Sequence, residues 1–173
     1  DAYVASLLGR EQEVLVHAGT DYTFVLLPGA ETPLAVLTDD NSRHIRGEAR
    51  LRIVHASALY RGTPIAVTRD GVEISGPIEF GQSSGDQRIA PGDVTLTLTD
   101  GSRKEIATLP TFSAGDKELK TVFLYGSDEL RAAQFAYEPS LPPSGNSRVR
   151  VFNAGDTPLD VQLGSGIALA KGL

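Results

Sequence analysis

Apolar residues along this chain recur at every second position. Val94, Leu96 and Leu98 alternate with Thr95, Thr97 and Thr99, which turns one face of an extended strand toward a core and the other toward water. Asp100-Gly101 follows at once, and an apolar run resumes over 105–109. The spacing predicts a β-hairpin whose two turn residues reach φ > 0 cheaply, with 102–104 available to lengthen the loop. A second hairpin is predicted from 64–69 and 72–74 across Asp70-Gly71, with Ile65 and Val67 on one side. Residues 23–27 and 121–125 are nearly continuous apolar runs, as expected of central strands covered on both faces. The 18 Gly and 10 Pro punctuate short runs and argue against long helices. The one stretch with helical character is 128–134, and it is short. The pattern predicts an all-β chain.

A longer period overlies this alternation. Arg50-Leu51-Arg52-Ile53-Val54-His55-Ala56 recurs as Arg148-Val149-Arg150-Val151-Phe152-Asn153-Ala154. Thr63-Pro64-Ile65-Ala66-Val67 then recurs as Thr157-Pro158-Leu159-Asp160-Val161. Ala18-Gly19-Thr20 with Phe24-Val25-Leu26 resembles Ala114-Gly115-Asp116 with Val122-Phe123-Leu124. All three pairs share a separation of about 95 residues, which suits one sandwich domain. In that register, 1–48 is the C-terminal half of one repeat plus a polar linker, and 49–137 is a complete β-sandwich repeat. A Pro-rich linker over 138–146 then leads to 147–173, the N-terminal part of a further repeat. A half sandwich cannot bury its apolar face alone. The two terminal halves are complementary, so they are expected to pair with each other, in cis or in trans, unless a longer parent chain completes them.

Composition narrows the function classes. The 173 residues carry 16 Lys and Arg against 22 Asp and Glu, a formal net charge of −6, the wrong sign for a nucleic-acid surface. A hydrophobic share of 40% beside 22% charged residues suffices for a core and is too apolar for disorder. No apolar run approaches the roughly 18 residues of a membrane helix. Zero cysteines exclude disulfide scaffolds, thiolate metal sites and cysteine nucleophiles. Without Met at its start, the chain reads as processed, trimmed or internal to its gene.

The string Ala49-Arg50-Leu51-Arg52-Ile53-Val54-His55-Ala56-Ser57, preceded by the acidic Thr38-Asp39-Asp40-Asn41, resembles the bacterial domain-of-unknown-function 4397 family. Phe80-Gly81 with Ser83 and Ser84 before Pro91-Gly92, then Val94-Thr95-Leu96-Thr97-Leu98, extends the likeness over most of the chain. The resemblance implies an exported or lipid-anchored envelope protein made of tandem immunoglobulin-like β-sandwich repeats. It implies no catalytic or binding residues. The chain departs from the pattern by starting and ending in mid-repeat, and Tyr60-Arg61-Gly62 stands where a Pro-rich segment is usual.

Each candidate chemistry has a structural counterpart. His17, His44 and His55 have no nucleophile context such as Gly-x-Ser-x-Gly. His55 falls where the other copy has Asn153, which points to a shared structural hydrogen bond at a strand end. Asp39 and Asp40, with Asn41 and Asp21, offer oxygen ligands to calcium. The corresponding join at Glu138 has no acidic pair, however, and the spaced calcium loop is missing, so a solvated turn is favoured. Arg50, Arg52, Arg148 and Arg150 alternate at matching positions, as a basic stripe for acidic glycans or partners would and as an ordinary solvated or edge-protected strand would. The loop 81–86 is rich in Gly and Ser but lacks the Lys of a phosphate-binding loop. Tyr22, Tyr60, Tyr125 and Tyr137 would suit a sugar-stacking surface, though such residues more often fill sandwich cores. No glycosidase-like carboxylate pair is recognisable.

The expectation is therefore a non-enzymatic protein of the envelope or extracellular space, structural or adhesive, with no cofactor. Its partners would be other copies, neighbouring sandwich repeats, or a surface glycan or protein. One alternative is a filament subunit assembled by strand complementation between half-domains. The other is a glycan-binding or glycan-acting surface protein.

Overall fold

The computed structural model describes every residue except 1, 8–9, 28, 33, 40–44, 138–139, 141, 164–166 and 173. The described chain is all-β. Its strands are β1 (Ala2–Leu7), β2 (Arg10–Leu15), β3 (Asp21–Leu26), β4 (Leu34–Asp39), β5 (Ala49–His55), β6 (Ile65–Arg69), β7 (Val72–Ile78), β8 (Gln87–Ile89) and β9 (Gly92–Val94). After these come β10 (Leu96–Thr99), β11 (Glu105–Thr108), β12 (Phe112–Ala114), β13 (Leu119–Tyr125), β14 (Arg131–Ala136), β15 (Arg148–Asn153), β16 (Val161–Leu163) and β17 (Ile167–Ala170). A 3-10 turn spans Ala58–Tyr60. Among the described residues no helix is long and apolar enough to cross a membrane.

The helical expectation for 128–134 is corrected. Arg131–Ala136 is β14, paired antiparallel with β13 from Tyr125↔Arg131 to Lys120↔Ala136. A seven-residue helix closes too few hydrogen bonds to repay its nucleation, whereas the edge of a buried strand satisfies the same backbone groups outright.

The chain divides into two compact units, residues 43–137 and residues 1–42 with 138–173. In the first, one sheet has the order β11-β10-β6-β7 and the other β14-β13-β5-β8, with β12-β9 as a short ribbon. Both sheets contribute to one core, in which Leu51, Ile53, Ile65, Val67, Leu96, Leu98, Val122 and Leu124 are fully buried. This is a β-sandwich.

The β6–β7 hairpin turns as predicted, with Asp70 at φ 52° and Gly71 at φ 78°, the paired positive angles that match strand twist. The β10–β11 turn differs. The Asp100 carboxylate accepts the Ser102 and Lys104 amides at 2.8 and 3.0 Å, and the positive φ moves to Arg103. Asp100 organises a longer loop with its side chain, so neither Asp100 nor Gly101 has to take the left-handed conformation.

Gly126, at φ 106°, follows β13 where the chain bends toward β14. A Cβ there would run into the Glu129 carbonyl oxygen. Its own carbonyl accepts the Ser57 hydroxyl at 3.1 Å and the Leu59 amide at 3.2 Å. Gly126→Ala is expected to destabilise this unit by about 2–4 kcal/mol, combining left-handed strain with a backbone clash. Chemical denaturation followed by hydrogen exchange on β13 checks this, and an unchanged midpoint would refute the strain.

In the second unit the sheets are β2-β1-β16-β17 and β4-β3-β15. This is the order of the first unit with the chain entering elsewhere. The first unit is met at β5 and β6–β7 before β10–β11 and β13–β14, the second at β1–β2 and β3–β4 before β15 and β16–β17. Even the parallel register corresponds. His55 stands opposite Leu124 as Asn153 stands opposite Leu26, and Arg50 opposite Leu119 as Arg148 opposite Asp21. Val14, Tyr22, Phe24, Leu26, Leu34 and Val161 form the core, packed by Val149, Val151 and Leu159. The N-terminal and C-terminal segments of one chain thus share one core.

Candidate functional site

The polar chemistry of the first unit gathers along β5. Its even-numbered amides point to β13, since Arg50 N–H reaches Glu118 O at 2.8 Å and Ala56 N–H reaches Leu124 O at 2.8 Å. The odd-numbered amides therefore face outward, and the loop 81–86 with β8 receives them. Ile53 N–H donates to Ser84 Oγ at 2.9 Å, and Ser84 N–H to Ile53 O at 2.9 Å. His55 N–H donates to Gln82 O at 3.0 Å, and Gly81 N–H to His55 O at 2.7 Å. The Gly- and Ser-rich loop is thus a strap that closes a sheet edge. Its small residues let backbone lie against backbone.

Asp86 fastens the strap. Its carboxylate lies 3.0 Å from Arg52 Nε and 3.3 Å from Arg50 Nη1. Two arginines one strand period apart share a face, so one acid bridges both. Arg52 is buried, at 4% exposure, and a guanidinium held that deep requires a compensating charge. Arg-x-Arg on a core-forming strand was the legible half of this pair. The acid lies 34 residues on, in the Gly- and Ser-rich loop, whose composition reads only as a flexible connection between strands.

Arg148 and Arg150 occupy β15 of the other unit, so no common sheet joins the four arginines. Arg148 Nη1 approaches Asp21 Oδ2 at 3.4 Å, and its Nη2 donates to Ser140 Oγ at 3.3 Å. Arg150 is half-buried two residues further along. Asp21 itself is buried beneath Arg148. Asp39 ends β4 in register with Asp21, while Asp40 and His44 lie outside the described residues. Among the described residues no three of His, Asp and Glu gather to hold a metal ion. His17 is exposed; its amide donates to the Tyr22 hydroxyl at 2.9 Å and its carbonyl accepts from Ser147 Oγ at 2.7 Å. Tyr22 and Tyr137 are buried and Tyr60 packs against the core.

His55 is fully buried at the end of β5. Its Nε2 lies 3.1 Å from Tyr60 O and 3.2 Å from Thr63 O. Two carbonyls can only accept, so Nε2 carries the proton and donates. Nδ1 is buried with no hydrogen-bond partner among the described residues. Phe80 meets the ring edge-on at 5.7 Å, and Arg61 lies over Phe80 at 5.1 Å. In the other unit Asn153 Nδ2 donates to Thr157 O at 2.9 Å. The two Thr-Pro loops are therefore tied down by the same device, an imidazole in one and an amide in the other.

Burial lowers the His55 pKa from 6.5, against smaller opposing contributions from the Tyr60 and Thr63 carbonyls and Glu79. The folded state keeps the ring neutral where the unfolded chain would take up a proton. Stability from this group is present above about pH 6.5 and declines as pH falls from there toward the lowered folded value. The urea midpoint of the 43–137 unit is expected to drop between pH 7.5 and 5.5 by more in wild type than in His55→Asn. Parallel curves for the two proteins would count against it.

No family model matches this chain, and no curated protein does. Among solved structures it is similar to the C-terminal domain of AlgF from P. aeruginosa, with 18% identity and a TM-score of 0.42, over 53% of this chain and 100% of that domain.

Proposed function

We propose that this is a non-enzymatic, exported structural or adhesive protein of the envelope or extracellular space, made of immunoglobulin-like sandwich modules. The observation that carries the reading is the repeated strand order of the two units, down to the parallel register of β5 with β13 and β15 with β3. A chain that builds one architecture twice offers two similar scaffolds, a use of sandwiches that leaves recognition to loops and edges. A second support is where the polar side chains go. Asp86 holds Arg50 and Arg52, and His55 holds the Thr63 loop, so these groups fix backbone. The first pair of arginines is engaged with an internal acid, which weakens the case for a glycan-binding stripe.

Protease added to intact cells of the producing organism tests the reading. The protein is expected to be cleaved or released while a cytoplasmic marker survives. Full protection until the cells are lysed would overturn export, and with it the adhesive role.

A further inference from the structure

His55 and Asn153 secure equivalent Thr-Pro loops, but the amide is matched at both ends and the imidazole at one. Asn153 Nδ2 donates to Thr157 O at 2.9 Å, and its Oδ1 accepts the Gly155 amide at 2.9 Å. His55 Nε2 donates to Tyr60 O and Thr63 O at 3.1 and 3.2 Å. Its buried Nδ1 has no hydrogen-bond partner among the described residues. A buried polar atom left unmatched costs stability and calls for a reason. What an imidazole has and an amide lacks is a second proton, taken up just below neutral pH.

The closed structure does not accommodate that proton. On Nδ1 it would be a buried donor facing no acceptor, and it would put a charge on a fully buried ring. Burial outweighs what favours the cation, namely the Tyr60 and Thr63 carbonyls and the Glu79 carboxylate. Glu79 is solvent-exposed, which weakens its reach. Arg61 stands over Phe80, the ring that packs on His55, and adds positive charge to the same corner. Tyr60 packs its side chain against the core, and Leu124 of β13, opposite His55, is apolar.

The segment that the ring holds is otherwise thinly fastened. Residues 58–64 run between the fully buried Ser57 and Ile65, and Leu59, Arg61 and Gly62 among them are exposed. Leu59 N–H ties the segment to Gly126 O at 3.2 Å, and the ring ties it through two carbonyls. β5 and β13, by contrast, share six register pairs and bury Leu51, Ile53, Val122 and Leu124 completely. Local opening is easiest where buried contacts are few. We propose that His55 is an acid-operated latch: a proton on Nδ1 releases residues 58–64 from the end of the sandwich and exposes more of Tyr60 and Phe80, while both sheets of the first unit stay folded. The device belongs to the first unit alone, because Asn153 does not titrate. Its pH window follows by linkage. The open ring takes its proton at about the ordinary pKa of 6.5, and burial holds the closed ring lower. Opening is therefore favoured progressively below about pH 6.5, by at most about tenfold per pH unit for one proton. The latch does not depend on export, so the protease experiment above fails or succeeds separately from it.

The test measures amide protection factors in the full chain from about pH 7.5 to about pH 5.5, corrected for the intrinsic pH dependence of exchange. Leu59 and Thr63, whose amides are bonded to Gly126 O and Tyr60 O, are expected to lose up to about tenfold in protection by pH 5.5. The Arg52 and Val54 amides, which face β13, should hold theirs, as should Gly155 on Asn153. In His55→Asn the Leu59 and Thr63 values are expected to be flat with pH. Should that variant not fold, the shape of the wild-type curve decides, since a single imidazole puts its bend near pH 6.5. Protection of Leu59 and Thr63 that holds down to pH 5.5, or that falls without a bend near 6.5, would overturn the latch. So would a pH response that persists in His55→Asn. Loss of protection at Arg52 and Val54 in step with Leu59 would also overturn it, because that is unfolding of the whole unit.

Discussion

Removing residues 147–173 is expected to unfold the 1–42 segment completely while leaving the 43–137 unit at its original stability. The deletion takes away β15, β16 and β17. β3 thereby loses its parallel neighbour at six positions, and β1 loses β16. Phe152 and Val161 leave the core, with Val149, Val151 and Leu159 that pack beside it. What remains is two hairpins, β1–β2 and β3–β4, and isolated hairpins are marginal in water. Phe24 and Leu26, now almost wholly buried, would face solvent. The loss is the whole folding free energy of that unit, on the order of 5–15 kcal/mol for a domain. Limited proteolysis should cut within 1–42 at once, while β5 and β13 keep slow amide exchange. Equal protease resistance of 1–42 in the truncated and full chains would show that this segment does not depend on its C-terminal partner.

Much of the all-β strand pattern was legible because it rests on local alternation. The Asp70-Gly71 turn followed from the φ > 0 requirement of a two-residue hairpin, and the apolar runs at 23–27 and 121–125 became the central strands β3 and β13. The recurrence of Arg50–Ala56 as Arg148–Ala154 falls on strands with equivalent parallel pairing, β5 beside β13 and β15 beside β3, although their arginines meet different acids. What failed to show was non-local. The 128–134 stretch read as helix because its own residues allow it, and only β13 beside it decides for strand. Val94 was read as the start of a continuous strand, yet it ends β9 and pairs with Phe112 on β12, a switch that period-two alternation cannot signal. Asp86 carried no local pattern at all. Its role depends on Arg50 and Arg52, which the fold, and not the spacing, brings to it.

That dependence makes Asp86 a sensitive side chain on the first unit's edge. Asp86→Ala is expected to destabilise the 43–137 unit by about 2–3 kcal/mol, somewhat under the range for breaking a fully buried ion pair. The reduction reflects solvent access, since the Asp86 side chain is 20% exposed while that of Arg52 is 5% exposed. Asp86→Asn keeps an acceptor for Arg52 Nε and should recover part of the loss. Arg52→Met in the Asp86→Ala background should recover more, because it removes a buried charge that has lost its Asp86 contact. Urea denaturation of the four proteins yields the coupling directly, and high salt should weaken it little, because a pair this buried is poorly screened. The strap should also loosen. The Ile53 and His55 amides, bonded to Ser84 Oγ and Gln82 O, are expected to exchange faster in Asp86→Ala even under strongly native conditions. A change within about 0.5 kcal/mol, the range of an ordinary surface substitution, together with unaltered exchange at those two amides, would mean that the backbone ladder alone closes the edge. The acid would then be incidental to what covers β5.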